Sequence, residues 1–272
     1  MHAYAEMSAI DVWYSHLDVK LLSENANSSK HRKHWLRVIN ESERQTSGHE
    51  FPKMTTVRNG RPRIVDQQPL IYHTHEMAGK RVRQMFRRYR VTLPYERRVL
   101  LDRYELTDVA RKVVGVGAVG TRCAVVLLMA DSNDPLFLQC KEARASVLEP
   151  YAGKSEYNNQ GERVVAGQRI MQSASDIFLG WTRDEKGHDY YFRQLRDRKL
   201  TIDIEAMSKS DWFEYVELCG WALARAHARS GDPARIAGYA DQTEQDYAPL
   251  LKAIRAGRIA SETGPRRPRT NS

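Results

Sequence analysis

The chain has 272 residues, of which 41% are hydrophobic and 28% are charged. That share of apolar residues is enough for a packed core, which excludes a chain that is disordered throughout. The formal net charge of +9 suits a polyanionic ligand and a nucleic acid equally well.

The cysteine pattern and the length of the apolar runs indicate the cellular compartment in which the protein is expected. The chain has three cysteines and no C-x-x-C pair, which predicts buried thiols in a reducing compartment and neither a disulfide framework nor a zinc site. The longest apolar run, Cys123 to Ala130, is far shorter than the roughly 20 residues that span a bilayer. Residues 1–15 lack the basic start and apolar segment of a secretory signal. We therefore expect a cytoplasmic protein that is not in a membrane.

Residues 1–105 are predicted to form a mainly helical, basic extension. Asn59-Gly60 lies between two short extended runs and predicts a tight β-hairpin. Apolar spacing, together with a strongly basic composition in the second segment, predicts helices in the segments Asp11–Ser23, Lys30–Glu43, Glu76–Arg90 and Tyr95–Tyr104.

The basic helix around Arg83 to Arg90 has two interpretations. Its arginines, among them Arg83, Arg87 and Arg88, could lie on the phosphates of DNA or RNA. Alternatively, they form a solvated face whose long side-chain stems cover apolar surface, and we favour this second interpretation.

Three glycines, Gly115, Gly117 and Gly120, form the pattern G-x-G-x-x-G. Dinucleotide-binding folds and the phosphate-covering loop of kinases share this pattern. In a dinucleotide site the third glycine opens a helix. Here Gly120 is followed by a β-branched and apolar run, then by the turn Asp131–Pro135 and a second apolar run. The glycines are therefore predicted to form the tip of a hairpin, which is the kinase arrangement.

The chemistry of phosphate binding explains these residue types. Glycine leaves backbone N–H groups free of Cβ atoms and permits positive φ angles. Lys141, on the strand after the hairpin, would place an ammonium on the phosphates. The alternatives left open are a hairpin shaped by glycine with a solvated Lys141, and a dinucleotide site.

A helix from about Gln160 to Ser175 follows this lysine. In kinases a glutamate on the helix after the lysine strand pairs with the lysine. Glu162 is the candidate, with Glu149 and Glu156 as rivals, although a glutamate in the first turn of a helix is also explained by the helix dipole.

The predicted fold class is α+β. Two further strands, Ile177–Thr182 and Tyr190–Leu195, complete an antiparallel sheet of about five strands with one helix, the order of a kinase small lobe. The predicted divisions are residues 1–105 for the extension, 106–200 for the β lobe, 201–260 for a helical segment and 261–272 for a disordered basic tail.

The helical segment opens at Ser208 to Asp211, which resembles a capping box. Asp232 follows this helix and is interpreted as a cap or turn residue in preference to a catalytic one. The apolar stripe of the helix is predicted to be core packing and consists of Trp212, Val216, Cys219, Leu223 and Ala226.

Several blocks of the chain resemble a bacterial family, domain-of-unknown-function family 2252. They are VARKVVGVGAVGTRC, LFLQCKEA, QRIMQSASDIFLGWTR, YYFRQLRD and CGWALARAHARSGD. The resemblance implies a protein-kinase-like or aminoglycoside-phosphotransferase-like fold, with ATP and Mg²⁺ as ligands.

The chain departs from the family pattern in one respect. Members of the family usually carry a G-D-x-H-x-x-N motif and a D-x-D segment upstream, and neither is present in this sequence. The chain therefore looks like the C-terminal portion of the family, with no identifiable metal site and the catalytic residues unknown. The leading hypothesis is a nucleotide-binding domain, with a second chain as one source of the catalytic half. The alternative is a nucleic-acid-binding protein.

Overall fold

The computed structural model of the chain describes residues 1–16, 29–44, 46–74, 80–113, 115, 120–195, 204–205 and 207–259. It divides into two compact units, one formed by Met1–Ser15 with Val216–Ser272 and the other by His16–Tyr215. No helix within these described stretches has the length and apolar character needed to cross a membrane. The predicted divisions at residues 105, 200 and 260 stay predictions.

The helices and strands are, in chain order, α1 (His2–Ala5), α2 (Ala9–Tyr14), α3 (Ser29–Glu43), α4 (Ser47–Met54), β1 (Thr55–Arg58), β2 (Arg61–Ile64), β3 (Ile71–Tyr72), α5 (Lys80–Val91), α6 (Tyr95–Leu101), β4 (Glu105–Lys112), β5 (Cys123–Met129), β6 (Pro135–Ala143), α7 (Glu149–Ala152), α8 (Gln160–Met171), β7 (Gly180–Arg183), β8 (Asp189–Gln194), α9 (Lys209–Ser230) and α10 (Pro233–Arg255).

The larger unit is built on an antiparallel sheet with the strand order β3-β4-β5-β6-β8-β7. The α+β class and the antiparallel sheet are therefore confirmed. The sheet has six strands in the described part of the chain, against about five predicted, because the short strand β3 joins its edge. β3 pairs only Ile71 and Tyr72 with β4, which is too short a segment to show a strand period in the sequence.

The hairpin predicted at Asn59-Gly60 is confirmed, since β1 and β2 pair with Arg58 opposite Arg61. Asn59 and Gly60 both have positive φ, 51° and 74°, as a two-residue type I′ turn requires. The hairpin also contacts the large sheet, because the backbone N–H of Ile64 donates to the Asp108 carboxylate at 2.7 Å.

Both faces of the sheet are buried at its centre, because β5 and β6 are apolar at nearly every position. Side chains of these strands alternate between the two faces. On the first face, Leu128 and Leu138 pack in one cluster with Tyr89 of α5. On the second face, Leu127 and Phe137 pack in another cluster, with members from α4, β2 and β3.

Helix α5 covers the first face and carries many of the arginines of the predicted basic helix. Its Tyr89 is completely buried, stacks on Phe192 with ring centroids 4.2 Å apart, and donates a 2.7 Å hydrogen bond to the carbonyl of Phe178. The apolar side of the helix thus packs on the sheet, as the favoured interpretation expects.

The smaller unit contains α1, α2, α10 and most of α9. Its buried cluster comprises Tyr4, Val12 and Ala228, with Trp221 packed against them. Asp232 caps α10 by accepting from the backbone N–H groups of Ala234 and Arg235, so its interpretation as a cap is confirmed.

Helix α9 opens with the predicted capping box, since Asp211 N–H donates to Ser208 Oγ at 3.3 Å and Ser208 N–H donates to the Asp211 carboxylate at 3.2 Å. The prediction that its apolar stripe is core packing is wrong for most of the stripe. Trp212 is 41% exposed and Leu223 is 54% exposed, while Ala226 is buried. The helix presents Trp221, Ala224 and Ala228 to the buried cluster with α1 and α2 instead. Apolar spacing alone does not reveal which stripe meets a neighbour.

Alanine substitutions at two glycines of α8 test how closely this helix packs on the sheet. A Cβ atom at Gly161 would lie 2.2 Å from the carbonyl oxygen of Tyr190, whereas one at Gly167 would meet nothing within 4 Å. We expect Gly161→Ala to lower the free energy of unfolding by about 1–3 kcal/mol through overpacking. The matched control Gly167→Ala should raise it by roughly 0.5–1 kcal/mol, since alanine is the better helix former. Urea denaturation of both variants measures the difference, and equal effects would contradict the packing described.

Candidate functional site

The glycine loop joins two antiparallel neighbours, β4 and β5, with Arg111 opposite Ala124 at the loop end of the ladder. Gly120 has a φ of +79°, which favours glycine, and is followed by a turn and then by β5. No helix begins at Gly120, so the hairpin predicted here is confirmed and the helix that a dinucleotide site requires is missing at this residue. Gly115 is exposed, and Gly117 lies outside the described residues.

A buried carboxylate ties the loop to β6. The side chain of Glu142 is only 5% exposed; it accepts from the backbone N–H of Arg122 at 2.9 Å and from its guanidinium at 3.2 Å. Arg144 donates to the same carboxylate at 2.9 Å and to the carbonyl of Gly120 at 2.5 Å. Burial raises the pKa of Glu142, but the hydrogen bonds and charges of the two arginines outweigh it and lower that pKa. This cluster, which the sequence did not indicate, fixes the end of the loop.

Lys141 lies on β6, opposite Cys123 on one side and Tyr191 on the other. It is half-buried, and strand alternation places it on the second face of the sheet, the one opposite α5. Burial and the positive charge of Arg193 lower the pKa of its ammonium below the ordinary value of 10.5. The ammonium of Lys141 makes no hydrogen bond and no ion pair with any residue that the structure describes.

Arg193, on β8, lies diagonally from Lys141 and on the same face, because Gln139 is its direct partner across the ladder. Its guanidinium donates to the side-chain oxygen of Gln139 at 3.2 and 3.3 Å. Gln139 is itself 4% exposed, and its amide also donates to the Cys123 sulfur at 3.5 Å. The second face thus holds two neighbouring cations. In the described chain, the Arg193 guanidinium donates to an amide oxygen, and the Lys141 ammonium has no hydrogen-bond partner.

Glu162 lies in the first turn of α8, where its backbone N–H donates to the Asn159 side chain at 3.2 Å. Its carboxylate forms no ion pair with Lys141, and neither rival does so within the described residues. Glu149 is half-buried with one carboxylate oxygen that has no hydrogen-bond partner among them, and Glu156 is exposed. The lysine–glutamate pair that the kinase analogy predicts is therefore not formed in this structure.

The arginines of α5 divide into two groups. Arg81 forms a 3.1 Å ion pair with Asp184, and Arg90 pairs with Asp102. Arg88 donates to the carbonyl of Arg183 at 3.1 Å. Arg83 and Arg87 are exposed, one helical turn apart, and neither has an acidic partner in the part of the chain described. The basic patch proposed for nucleic acid thus reduces to two unpaired arginines with Arg88 beside them.

A cavity of about 130 Å³ lies on the first face, between α5 and the sheet. Residues from α5 and from β4, β5, β6 and β8 line it, separated by up to about a hundred positions in the chain. Sequence reasoning missed this cavity because no local pattern brings these residues together.

The described residues contain no group of three or more histidine, cysteine, aspartate or glutamate side chains that could hold a metal ion. The His73 ring bonds to Asp66 at 2.7 Å and to Asp108 at 3.0 Å, so it links β4 to the segment before β3. The surroundings of Lys141 fit the phosphates of a nucleotide, since they are cationic, but they do not fit Mg²⁺, which needs oxygen ligands.

Replacing Lys141 by methionine tests whether the charge of this partly buried ammonium destabilises the folded protein. Because the folded-state pKa is lowered, folding is penalised wherever Lys141 is charged in both states, and the penalty fades as pH rises through the folded pKa towards 10.5. We expect Lys141→Met to raise the free energy of unfolding at pH 7 by roughly 0.5–1 kcal/mol, an advantage that shrinks at alkaline pH. Lys154→Met, at an exposed lysine, should change nothing. Urea denaturation at pH 7 and pH 10 checks both, and a destabilised Lys141→Met variant would contradict the account.

One family model matches the chain, over residues 1–257, and its description is "Uncharacterized protein conserved in bacteria (DUF2252)". No curated protein and no solved structure matches. The match covers most of the chain and agrees with the resemblance seen in its glycine-loop, strand and helix blocks. The chain therefore belongs to the DUF2252 family of bacterial proteins.

Proposed function

We propose that the protein binds a nucleotide on the second face of the sheet, with the glycine loop over the phosphates and Lys141 in contact with them. One observation carries the proposal: Lys141 and Arg193 are neighbouring, partly buried cations that no described carboxylate neutralises. Two like charges that lie close together and are partly shielded from water repel each other. Residues with such unfavourable electrostatics are frequently found in ligand-binding sites. A polyphosphate would relieve the repulsion.

The order of the elements supports this proposal. A glycine-loop hairpin is followed by a strand with the lysine, then by the helices α7 and α8 and a second hairpin. Kinases place a glycine-rich loop over the phosphates and the lysine on the third strand in this order. We therefore propose residues 106–200 as a kinase-like small lobe, and residues 1–105 as an extension to it.

The proposal concerns binding and not turnover. The sequence has neither the G-D-x-H-x-x-N motif nor the D-x-D segment that the family resemblance leads one to expect. The described residues also contain no group of three or more histidine, cysteine, aspartate or glutamate side chains that could hold a metal ion. In the proposal ATP is the ligand, and a second chain supplies any catalytic half. Glu162 takes its positioning role only if it moves to Lys141 when the nucleotide binds.

The alternative function, nucleic-acid binding, has one observation in its favour. Arg83 and Arg87 project from one exposed side of α5 without acidic partners in the described chain, and such a pair can contact successive phosphates. It uses the side of α5 that faces away from the sheet, so the two functions depend on different residues and can be tested apart.

Thermal denaturation with ATP tests the proposal. A nucleotide present at about 100 times its dissociation constant should stabilise the wild-type protein by roughly 2.7 kcal/mol. We expect Lys141→Ala to remove most of this stabilisation and Lys154→Ala to keep it. Inorganic triphosphate should stabilise the protein as well, because the contacts proposed are to phosphate. An ATP response that survives Lys141→Ala would show that the assigned lysine role is wrong.

Salt dependence tests the alternative. If Arg83 and Arg87 bind single-stranded DNA, the double variant Arg83→Gln/Arg87→Gln should lower the slope of log affinity against log salt by about 1.4, or about 0.7 for each phosphate contact. The ATP response should stay unchanged in that variant. Fluorescence anisotropy with a labelled oligonucleotide measures the slope, and an equal slope for wild type and variant would exclude these arginines.

A further inference from the structure

The cavity on the first face of the sheet combines an apolar interior with a charged rim. Its interior is formed by Val82, Met85 and Phe86 of α5 and, from the sheet, by Val126 and Phe192 among others. Protein interiors hold few voids larger than a water molecule, since a void forfeits packing. A void of about 130 Å³ is close to the engineered apolar cavity of about 150 Å³ that binds benzene. The interior therefore has room for one aromatic ring.

The rim of the cavity carries more positive than negative charge. Arg81, Arg122 and Lys186 contribute to it, against one carboxylate among the lining residues, that of Asp184. Asp184 is 3% exposed and already accepts from Arg81 at 3.1 Å and from the His188 ring at 3.0 Å. Backbone N–H groups of Lys186 and His188 donate to it too, at 2.8 and 2.9 Å.

Asp184 is held ionised by these contacts. Its burial raises its pKa, but the hydrogen bonds and charge of His188 and the backbone N–H of Lys186 outweigh burial and lower the pKa to about 2. Glu142, the carboxylate that binds the rim residue Arg122, also binds Arg144. Both carboxylates therefore have cationic partners, and the ammonium of Lys186 is left exposed with no partner in the described chain.

We propose that this cavity is a binding site for a small aromatic carboxylate, with the ring against the apolar floor and the carboxylate at the Arg122 and Lys186 side of the rim. The proposal follows from the volume of the cavity and the excess of cations at its rim. It does not rest on the proposed nucleotide site, since Lys141 and Arg193 lie on the opposite face of the sheet.

Benzoate is the probe for this site, with benzyl alcohol as its uncharged analogue and acetate as the head group alone, all at equal ionic strength. Ligand-observed NMR titration of the full chain should show saturable binding of benzoate. We expect benzyl alcohol to bind about tenfold more weakly, the loss expected when a hydrogen bond to a charged group is removed, and acetate not to bind measurably. Equal binding of benzoate and acetate, or of benzoate and benzyl alcohol, would overturn the proposal.

Two variants locate the binding. Ala124→Leu puts extra methyl groups into the cavity from a floor position on β5 and should abolish benzoate binding. Lys186→Gln removes the exposed rim cation without touching the core and should weaken benzoate about tenfold while benzyl alcohol is unaffected. The control Lys154→Gln should leave benzoate binding as in the wild type. Benzoate affinity that is unchanged in Lys186→Gln overturns the proposal even if Ala124→Leu does not fold.

Discussion

The central hairpin of β5 and β6 is buried on both faces, and the rest of the larger unit depends on this constraint. Leu127, Leu128 and Leu138 are completely inaccessible to solvent. Each face therefore needs its own cover, and α5 supplies one while α4 and the β1–β2 hairpin supply the other. An unpaired charge in the middle of these strands would be buried among apolar side chains, which is energetically costly. The charged residues Lys141, Glu142 and Arg122 therefore lie at the ends of the strands.

The same constraint explains which features could be predicted from the sequence. The apolar runs of β5 and β6, the Asn59-Gly60 turn and the Ser208–Asp211 cap are local patterns, and each has a direct physical cause in the residues themselves. The order of hairpin, strand and helix around Lys141 follows from these patterns. The hairpin form of the glycine loop was predictable for the same reason, since the β-branched run after Gly120 disfavours a helix.

Other features depend on contacts between residues that are far apart in the sequence, and no local sequence pattern reveals such contacts. The pairing of Lys141 with Glu162 was inferred from analogy, and in the structure the two side chains form no ion pair. Conversely, the binding of Glu142 by Arg122 joins residues 20 positions apart, and it depends on the register in which Arg122 follows the loop. The apolar stripe of α9 shows the same limit of sequence reasoning. Its periodicity shows that one face of the helix is apolar, but not that a neighbouring element covers that face.

The two proposed sites lie on opposite faces of the same end of the sheet, and this arrangement has a physical consequence. Consecutive side chains of β5 face opposite ways, so the sulfur of Cys123 lies on the face of Lys141, where the Gln139 amide donates to it, while the side chain of Ala124 lies on the floor of the cavity. Arg122 precedes both; it lies at the cavity rim and is bound, through Glu142 and Arg144, to the same cluster that holds the carbonyl of Gly120. An anion at the rim would compete with Glu142 for Arg122, and this competition would act on the end of the glycine loop. Coupling between the two faces therefore needs no long pathway. A single carboxylate, that of Glu142, accepts hydrogen bonds both from Arg122 at the cavity rim and from Arg144, which holds the end of the glycine loop.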